Sequence, residues 1–194
     1  MEINDTNINE FLVGIAEIHY GAYSTSHFTS NFDSLMLKRY YTCLIENSDL
    51  SLVSVTDNEI DGFIVAGYNV GRGVAQFVKS YRLSVIRVFL SNPKFLAEKF
   101  LSFISKLKAS NESTELSKFR LMSIAVNPKT QSKGVGSQML LSFESILQMR
   151  GIKSYGLSVR KKNARAVGFY IRNDFSVQKE TKDSIYFSKA VVHD

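Results

Sequence analysis

Apolar residues recur at helical spacing in two stretches of the N-terminal part of the chain. They fall every three or four positions over residues 8–23 and again over 35–46, which predicts two helices. Asp33 or Ser34 stands where the second helix needs a cap for its first backbone amides. The segment 21–31 between the helices is rich in Ser, Thr, Gly and Asn and therefore predicts a loop.

The pattern then changes to the two-residue period of β-structure. Apolar and polar residues alternate over 50–56, β-forming residues dominate 60–68, and the polar residues 57–59 between them predict a hairpin turn. The glycines of 71–73 predict an interruption of regular secondary structure. Residues 74–90 fit a helix better than a strand.

The rest of the chain alternates strands and helices more clearly. The predicted elements are a helix over 92–108 opened by Asn92 and Pro93, a polar connection over 109–117, strands over 119–126 and 153–159, helices over 135–149 and 163–172, and two closing strands over 175–178 and 184–190. This order predicts an α/β fold with a mixed sheet flanked by helices. No repeat divides the chain, so we expect one domain over residues 1–194.

Composition narrows the class of protein. The chain has 194 residues, 44% of them hydrophobic and 22% charged, which suits one well-buried domain and excludes a disordered or fibrous chain. The single cysteine, Cys43, excludes an internal disulfide and indicates a reducing compartment. No apolar run is long enough for a membrane-spanning helix, and the first residues do not resemble a secretion signal. We therefore expect a cytoplasmic protein without a membrane partner.

Charge is distributed unevenly between the two halves. Residues 1–100 contain 8 Lys and Arg against 11 Asp and Glu, a net charge of −3, whereas residues 101–194 contain 16 against 7, a net charge of +9. This asymmetry predicts that the C-terminal half binds an anion, such as nucleic acid, an acidic membrane surface or a phosphorylated cofactor. A solvated basic face without a partner explains it equally well.

A loop with two glycines carries the most specific signal. It follows the strand over 119–126 and leads into the helix over 135–149, where it contains Gln131, Lys133, Gly134 and Gly136. Glycines let backbone amides approach a ligand, and a helix N-terminus favours phosphate. The loop lacks the Gly-Lys-Ser/Thr of a Walker motif, and Met139 stands where a dinucleotide fingerprint has its third glycine.

The pattern Gln131-x-x-Gly134-x-Gly136 after a strand ending at Val126 resembles the acyl-CoA loop of the GCN5-related N-acetyltransferases (GNAT family). A second signature follows in the order of that family: a strand, Asn163, Ala166, Phe169-Tyr170, and a returning strand at Phe175. The resemblance covers about 119–190. It departs from the family at Asp174, where a glycine is usual; aspartate tolerates the left-handed backbone conformation better than most residues.

The resemblance implies one GNAT-like domain with a twisted, mostly antiparallel mixed sheet of about six to seven strands. The acyl-CoA-binding core would lie at about 119–190, the acceptor-side elements at about 8–117, and an added helical segment near 70–110. It also implies acetyl-CoA as co-substrate, without a metal or a covalent enzyme intermediate. The implied cofactor-binding residues are Ile124, Ala125 and Val126 for the pantetheine arm, Gln131, Ser132, Lys133, Gly134, Val135, Gly136 and Ser137 for the pyrophosphate, and Asn163 for the arm.

Catalytic roles follow from the same resemblance. Tyr170 matches the residue that protonates the leaving CoA thiolate in many family members, although a packed helix tyrosine is the structural alternative. Asn163 can equally well act only as a helix cap. The strand over 119–126 has no carboxylate for a general base, so His27 in the first loop is the candidate, with an ordinary loop histidine or a water chain as alternatives. His19 is expected on a helix face, and Cys43 in the core.

The leading functional hypothesis is acetyl transfer to a primary amine of a small molecule by direct attack in a ternary complex. The loop over 26–30 and the Tyr40-Tyr41 helix resemble family members found with surface-polysaccharide biosynthesis, which favours an amino sugar or a nucleotide amino sugar. The alternatives are acetylation of a protein N-terminus or lysine, a non-catalytic acyl-CoA sensor, and a basic nucleic-acid-binding module. The basic half coincides with the CoA-like half, which argues against nucleic acid, and exposed sheet edges allow a homodimer.

Overall fold

The computed structural model describes residues 1–4, 6–23, 28–90, 117–131 and 134–191. The helices are α1 (Ile8–Ala22), α2 (Ser34–Glu46), α3 (Gly71–Ser80), α4 (Arg82–Leu90), α5 (Val135–Met149) and α6 (Ala164–Arg172), with a short 3-10 turn over Phe28–Asn31. The strands are β1 (Leu50–Thr56), β2 (Glu59–Gly67), β3 (Arg120–Val126), β4 (Ser154–Arg160), β5 (Ser176–Glu180) and β6 (Ser184–Ala190).

The six strands form one sheet in the order β1-β2-β3-β4-β6-β5. Neighbouring strands are antiparallel except β3 and β4, which are parallel. The predicted fold class, a mixed and mostly antiparallel sheet with flanking helices, is thereby confirmed.

Each face of the sheet packs against its own helices. On the α1–α2 face, apolar side chains of α1, α2 and α3 pack on β1, β2 and β3, and Leu37, Phe63 and Phe77 are fully buried. On the α5–α6 face, Phe143 and Tyr170 pack on side chains such as Tyr155 and Phe187. Both cores are dense and aromatic, so the helices are fixed on the sheet mainly by apolar burial.

The two predicted N-terminal helices agree closely with the structure. The Asp33 carboxylate accepts a hydrogen bond from the Met36 amide at 2.7 Å, so Asp33 caps α2 as expected. The hairpin turn is shorter than predicted: Asp57 and Asn58 both have positive φ angles, 52° and 63°, and β2 already begins at Glu59. Two such residues form the tight turn that suits the right-handed twist of paired strands.

The prediction that the glycines of 71–73 interrupt regular secondary structure is wrong, because α3 begins at Gly71. A Cβ atom on Gly73 would lie 2.6 Å from the backbone oxygen of Cys43 in α2. Gly73 therefore allows α3 to approach α2 closely. The helices α3 and α4 confirm the predicted helical segment up to Leu90. Its continuation, with the predicted helix over 92–108 and nearly all of the connection 109–117, lies outside the described residues.

The turn before β5 confirms the expectation for Asp174. This residue has a φ angle of 63°, so an aspartate adopts here the left-handed conformation for which the family more often has glycine. None of the helices in the described part of the chain is long and apolar enough to cross a membrane.

Candidate functional site

The opening between β3 and β4 is the feature around which the candidate site is built. Within the described residues, the two strands pair at Arg120 and Gly156, near the start of β3. Further along, β3 remains paired with β2 as far as Val126, and β4 with β6. The strands therefore separate toward their carboxyl ends, and the backbone of Ile124, Ala125 and Val126 borders the gap. An extended ligand can bind in such a gap like an additional strand.

A β-bulge in β3 changes which side chains face each layer. Val65 of β2 lies opposite Ser123, and the next residue, Ala66, lies opposite Leu121, so Met122 is the extra residue. Because side chains alternate along a strand, one extra residue reverses the alternation that follows it. Leu121 belongs to the α5–α6 core, whereas Ser123 hydrogen-bonds with Tyr23 beside α1. The bulge thus places a hydroxyl on the α1–α2 face immediately before the gap.

The loop after β3 is fastened to its own strand and to β2. The Asn127 amide donates to the Asp61 carbonyl at 2.6 Å, and the Asn127 side chain accepts a hydrogen bond from the Lys129 amide at 3.1 Å. The Gln131 side chain donates to the Val126 carbonyl at 3.1 Å. Gln131, a predicted cofactor residue, therefore closes the loop with its side chain. Ser132 and Lys133, two other predicted cofactor residues, lie outside the described residues.

The N-terminus of α5 directly follows this loop. Gly134 has a φ angle of 81°, a conformation that side-chain-bearing residues rarely adopt. A Cβ atom on Gly136 would lie 3.2 Å from Phe169, so this second glycine allows α5 to pack closely against α6. The amides of Val135, Gly136 and Ser137 are in the first helical turn, where helical hydrogen bonds do not use them. An anionic group fits here, because these amides and the helix dipole both favour negative charge.

Tyr170 and Asn163 both belong to α6. The Asn163 side chain accepts a hydrogen bond from the Ala166 amide at 3.1 Å, so it caps the helix; a further contact with a cofactor stays a prediction. Tyr170 is 7% exposed and packs edge-on against Phe169 and Phe175. Burial, and after it the phenol of Tyr23, raises the pKa of Tyr170 above its ordinary value. Its hydroxyl therefore stays protonated at neutral pH, which a proton donor requires.

Two further residues, His27 and Cys43, were considered for chemistry, and the structure describes only the second. His27, the predicted general base, lies outside the described residues, and its role stays a prediction. Cys43 is 5% exposed within α2. Burial, and then the neighbouring Glu46 carboxylate, raises the pKa of its thiol, which keeps the thiol protonated and poorly nucleophilic. This environment fits the predicted core role of Cys43.

A buried polar network on the α1–α2 face is the part of the site that the sequence reasoning missed. Its members are His19, Tyr23, Thr29, Tyr41 and Ser123. The Tyr23 and Ser123 hydroxyls are 2.6 Å apart, and the Ser123 and Tyr41 hydroxyls are 3.5 Å apart. The Tyr41 hydroxyl lies 2.8 Å from Nδ1 of His19, whose Nε2 lies 2.6 Å from the Thr29 hydroxyl.

This network joins elements that are distant in the sequence. The His19 ring stacks on Tyr23 with ring centroids 4.3 Å apart, and both His19 and Tyr41 are at most 2% exposed. The prediction that His19 lies on a helix face is confirmed, but that face is buried and hydrogen-bonded. Buried polar side chains need such partners because burying them unpaired is costly. In the sequence, the only local sign of this network is that polar side chains stand among the apolar positions of the helices.

No cluster of His, Cys, Asp and Glu side chains that could hold a metal ion is found in the described ranges. The geometry instead defines a class: an enzyme or binding protein with a strand-like cleft for an extended ligand, an anion site at one end of it, and polar side chains at the other.

Comparisons with known proteins relate part of this arrangement to a family. Residues 98–175 match the model of the Acetyltransferase (GNAT) family. The resemblance noted in the sequence is therefore confirmed for these residues, which match a GNAT acetyltransferase domain. The class of reaction of such a domain is acetyl-CoA-dependent N-acetylation, with acetyl-CoA as co-substrate. A search among curated proteins finds no relative that matches the sequence.

Solved structures agree on the fold. The ribosomal-protein-S18-alanine N-acetyltransferase from Escherichia coli is similar with a TM-score of 0.53 and 15% identity, over 100% of this chain and 94% of that one. The PaiA N-acetyltransferase from Thermoplasma acidophilum, solved in complex with coenzyme A, is similar with a TM-score of 0.54 and 16% identity, over 98% and 96%. An acetyltransferase from Thermus thermophilus is similar with a TM-score of 0.56 and 12% identity, over 97% and 94%.

Proposed function

We propose that this protein transfers the acetyl group of acetyl-CoA to the primary amine of a small molecule, by direct attack in a ternary complex. The observation that carries the proposal is the cleft between β3 and β4. The first turn of α5 lies against Val126 at the end of β3, and Tyr170 is buried in the same core as Ile124 and Val126. In this proposal, residues 1–194 form one cytoplasmic N-acetyltransferase domain. The CoA-binding core lies at about 119–190 and the acceptor side at about 8–117.

The described residues suit the parts of acetyl-CoA in order along the cleft. The pantetheine arm would bind to the backbone of Ile124, Ala125 and Val126 as an added strand, and a backbone amide there would stabilise the thioester oxygen during attack. The pyrophosphate would lie on the amides of the loop and first turn, from Gln131 to Ser137. Acetyl-CoA supplies the activated acetyl group. Tyr170 would donate a proton to the leaving thiolate.

The acceptor we favour is an amino sugar or a nucleotide amino sugar. The main alternative is the N-terminal amine or a lysine of a protein. It is supported by the likeness of the fold to the ribosomal-protein-S18-alanine N-acetyltransferase. Both acceptors present a primary amine, so the same reaction centre serves either, and the substrate panel below separates them.

The test has two stages. First, thermal melting with acetyl-CoA should show a higher melting temperature, since a ligand that binds only the folded protein stabilises it. Second, release of free CoA is followed with a thiol reagent against amino sugars, nucleotide amino sugars, polyamines, amino acids and peptides. The proposal expects amino sugars to give the highest kcat/KM. Turnover restricted to peptides would favour the protein acceptor, and a thermal shift without any turnover would indicate an acyl-CoA sensor.

A further inference from the structure

The buried polar network has an outer end at the cleft and an inner end deep in the α1–α2 core. At the outer end, Tyr23 is half-buried and hydrogen-bonds to Ser123, which directly precedes the cleft residues of β3. At the inner end, His19 is 2% exposed and is held between Tyr41 and Thr29. The longest separation between neighbouring members is the 3.5 Å between the Ser123 and Tyr41 hydroxyls.

The outer end lies at the place where the reaction would occur. Tyr23 packs with the α1–α2 core and hydrogen-bonds to Ser123 of β3, and Tyr170 packs in the α5–α6 core with Ile124 and Val126 of the same strand. Side chains from opposite faces of a sheet can approach each other where neighbouring strands separate. In the proposed reaction, Tyr23 and Tyr170 therefore approach the end of the cleft from opposite faces of β3, where the acetyl group would meet an amine.

The chemistry of the network requires its proton acceptor to be the histidine. Besides His19, the titratable groups of the network are Tyr23 after α1 and Tyr41 from α2, and Ser123 of β3 lies between them. Tyr40 packs beside Tyr41 without a hydrogen bond to the network that the structure shows, and Tyr170 of α6 lies in the other core. Burial raises the pKa of all four tyrosines. Neutral hydroxyls can accept one proton while donating another, but they do not hold an extra proton near neutral pH. An imidazole can hold an additional proton near neutral pH.

We propose that Tyr23, Ser123 and Tyr41 form a hydrogen-bonded relay that carries the proton of the attacking amine to Nδ1 of His19. This inference rests on the proposed function and supplies the general base that the sequence of β3 lacks. Tyr23 is the relay member that would touch the amine. His19 is a positioning residue: it acts through the other members and holds the transferred proton. The Thr29 hydroxyl lies 2.6 Å from Nε2. In the relay it accepts a hydrogen bond from Nε2–H, which leaves Nδ1 as the acceptor.

The step balances in atoms and charge. As the new C–N bond forms and the C–S bond breaks, one amine proton passes to the Tyr23 oxygen. The Tyr23 proton then passes through Ser123 and Tyr41 to His19, which becomes an imidazolium with both ring nitrogens donating. The leaving thiolate takes a proton from Tyr170. His19 then loses its proton to solvent and Tyr170 regains one, which restores the starting state.

The first test reads the histidine directly and needs no acceptor. The chain has three histidines, so 15N-histidine NMR with the His19→Asn variant as the assignment control can identify the His19 signals. Above pH 8 the relay expects an unprotonated Nδ1 and a protonated Nε2, and on acidification a proton should add at Nδ1 while the fold is retained. A proton on Nδ1 of the neutral ring would overturn the relay.

The second test uses two adjacent tyrosines of α2 with the best acceptor from the panel. Tyr41→Phe removes a relay hydroxyl, whereas Tyr40→Phe removes a buried phenol that takes no part in the relay. We expect kcat to fall about 100-fold in Tyr41→Phe, with the KM for acetyl-CoA unchanged, and to change less than threefold in Tyr40→Phe. The loss should diminish with rising pH, because hydroxide can take the proton instead. Equal effects in the two variants would contradict the relay.

Failure of the relay and failure of the proposed function give different results. Wild-type protein that binds acetyl-CoA but releases no CoA with any amine overturns both. A wild-type enzyme that turns over but has the wrong His19 tautomer, or is insensitive to Tyr41→Phe, overturns the relay alone. His19→Asn adds a further check, because asparagine can still accept a hydrogen bond from Tyr41 but cannot store the proton. We expect it to match Tyr41→Phe in kcat.

Discussion

The two faces of the sheet are both well buried, but the side chains packed on them differ in kind. Under α5 and α6, the core is mainly apolar and aromatic, with the Tyr155 hydroxyl donating to the Glu144 carboxylate, and the candidate cofactor contacts come from backbone amides and from the Gly134 turn. Under α1 and α2, an imidazole and several hydroxyls are embedded among the apolar side chains. Backbone groups suit a cofactor whose shape does not vary, whereas buried side chains can be changed one at a time for a particular acceptor or proton route.

The largest effect should come from a glycine of the cofactor side. Gly134→Glu combines a φ angle of 81° with a negative charge at the expected pyrophosphate position. We expect acetyl-CoA affinity to fall at least about 100-fold, or about 3 kcal/mol. Isothermal titration calorimetry measures it directly.

Gly151→Glu is the matched control for that experiment. Gly151 also has a positive φ angle, 68°, and open space around its Cα, but it follows the C-terminal end of α5. The backbone strain should be similar and acetyl-CoA binding should be retained. Retained binding in Gly134→Glu would exclude the loop as the cofactor site.

Tyr170→Phe should affect turnover and leave affinity intact. Removing the proton donor to the thiolate should lower kcat about 100-fold with little change in the dissociation constant of acetyl-CoA. Because burial raises the pKa of Tyr170, the wild-type pH–rate profile should show no loss from this group until well above pH 10. Steady-state kinetics and calorimetry measure the two quantities, with Tyr186→Phe on β6 as the control. A loss confined to affinity would contradict the proton-donor role.

Both faces should make the protein sensitive to alkali. Tyr40 and Tyr41 on one face and Tyr155 and Tyr170 on the other are at most 7% exposed, and burial raises the pKa of each. The unfolded phenols ionise near pH 10 while the folded ones remain neutral, so stability is fully present below pH 10 and falls above it. Each tyrosine should contribute about 1.4 kcal/mol per pH unit to that fall.

Tyr40→Phe isolates one of these contributions. Urea denaturation at several pH values should give a shallower fall than the wild type above pH 10, by about 1.4 kcal/mol per pH unit. Below pH 9 the stabilities of the two proteins should run parallel. Identical slopes above pH 10 would mean that the Tyr40 hydroxyl reaches solvent in the folded protein.

The smallest effect concerns the turn before β5. Asp174→Val should destabilise the protein by about 1–2 kcal/mol, because a branched residue is strained at a φ angle of 63°. Asp174→Gly should be nearly neutral, since relief of strain is offset by the greater freedom of the unfolded chain. Thermal melting detects the first as a shift of about 2–8 °C. A neutral valine would show that the turn can change conformation.

The turn into α5 and the cap of α6, on the face proposed to bind the cofactor, could be predicted because their signals are local. The spacing of Gln131, Gly134 and Gly136 and the cap at Asn163 follow from residues that are close in the chain. The polar network could not be predicted in this way. Tyr23 and Ser123 are 100 positions apart, and they meet only because α1 packs on β3 beside a bulge. A bulge depends on the pairing of two strands, and the residues of β3 alone do not reveal it.

The bulge at Met122 also determines which face of the sheet each following side chain of β3 points to. With the extra residue present, Ser123 and Ala125 face the α1–α2 layer, while Ile124 and Val126 face the α5–α6 layer. Deleting Met122 would exchange the two sets, bringing a serine into an aromatic core and two large aliphatic side chains toward the helices of the other layer. The register of this one seven-residue strand therefore determines which side of the molecule carries the hydroxyl of the proposed relay, and insertions or deletions there should be tolerated far less than in the surrounding loops.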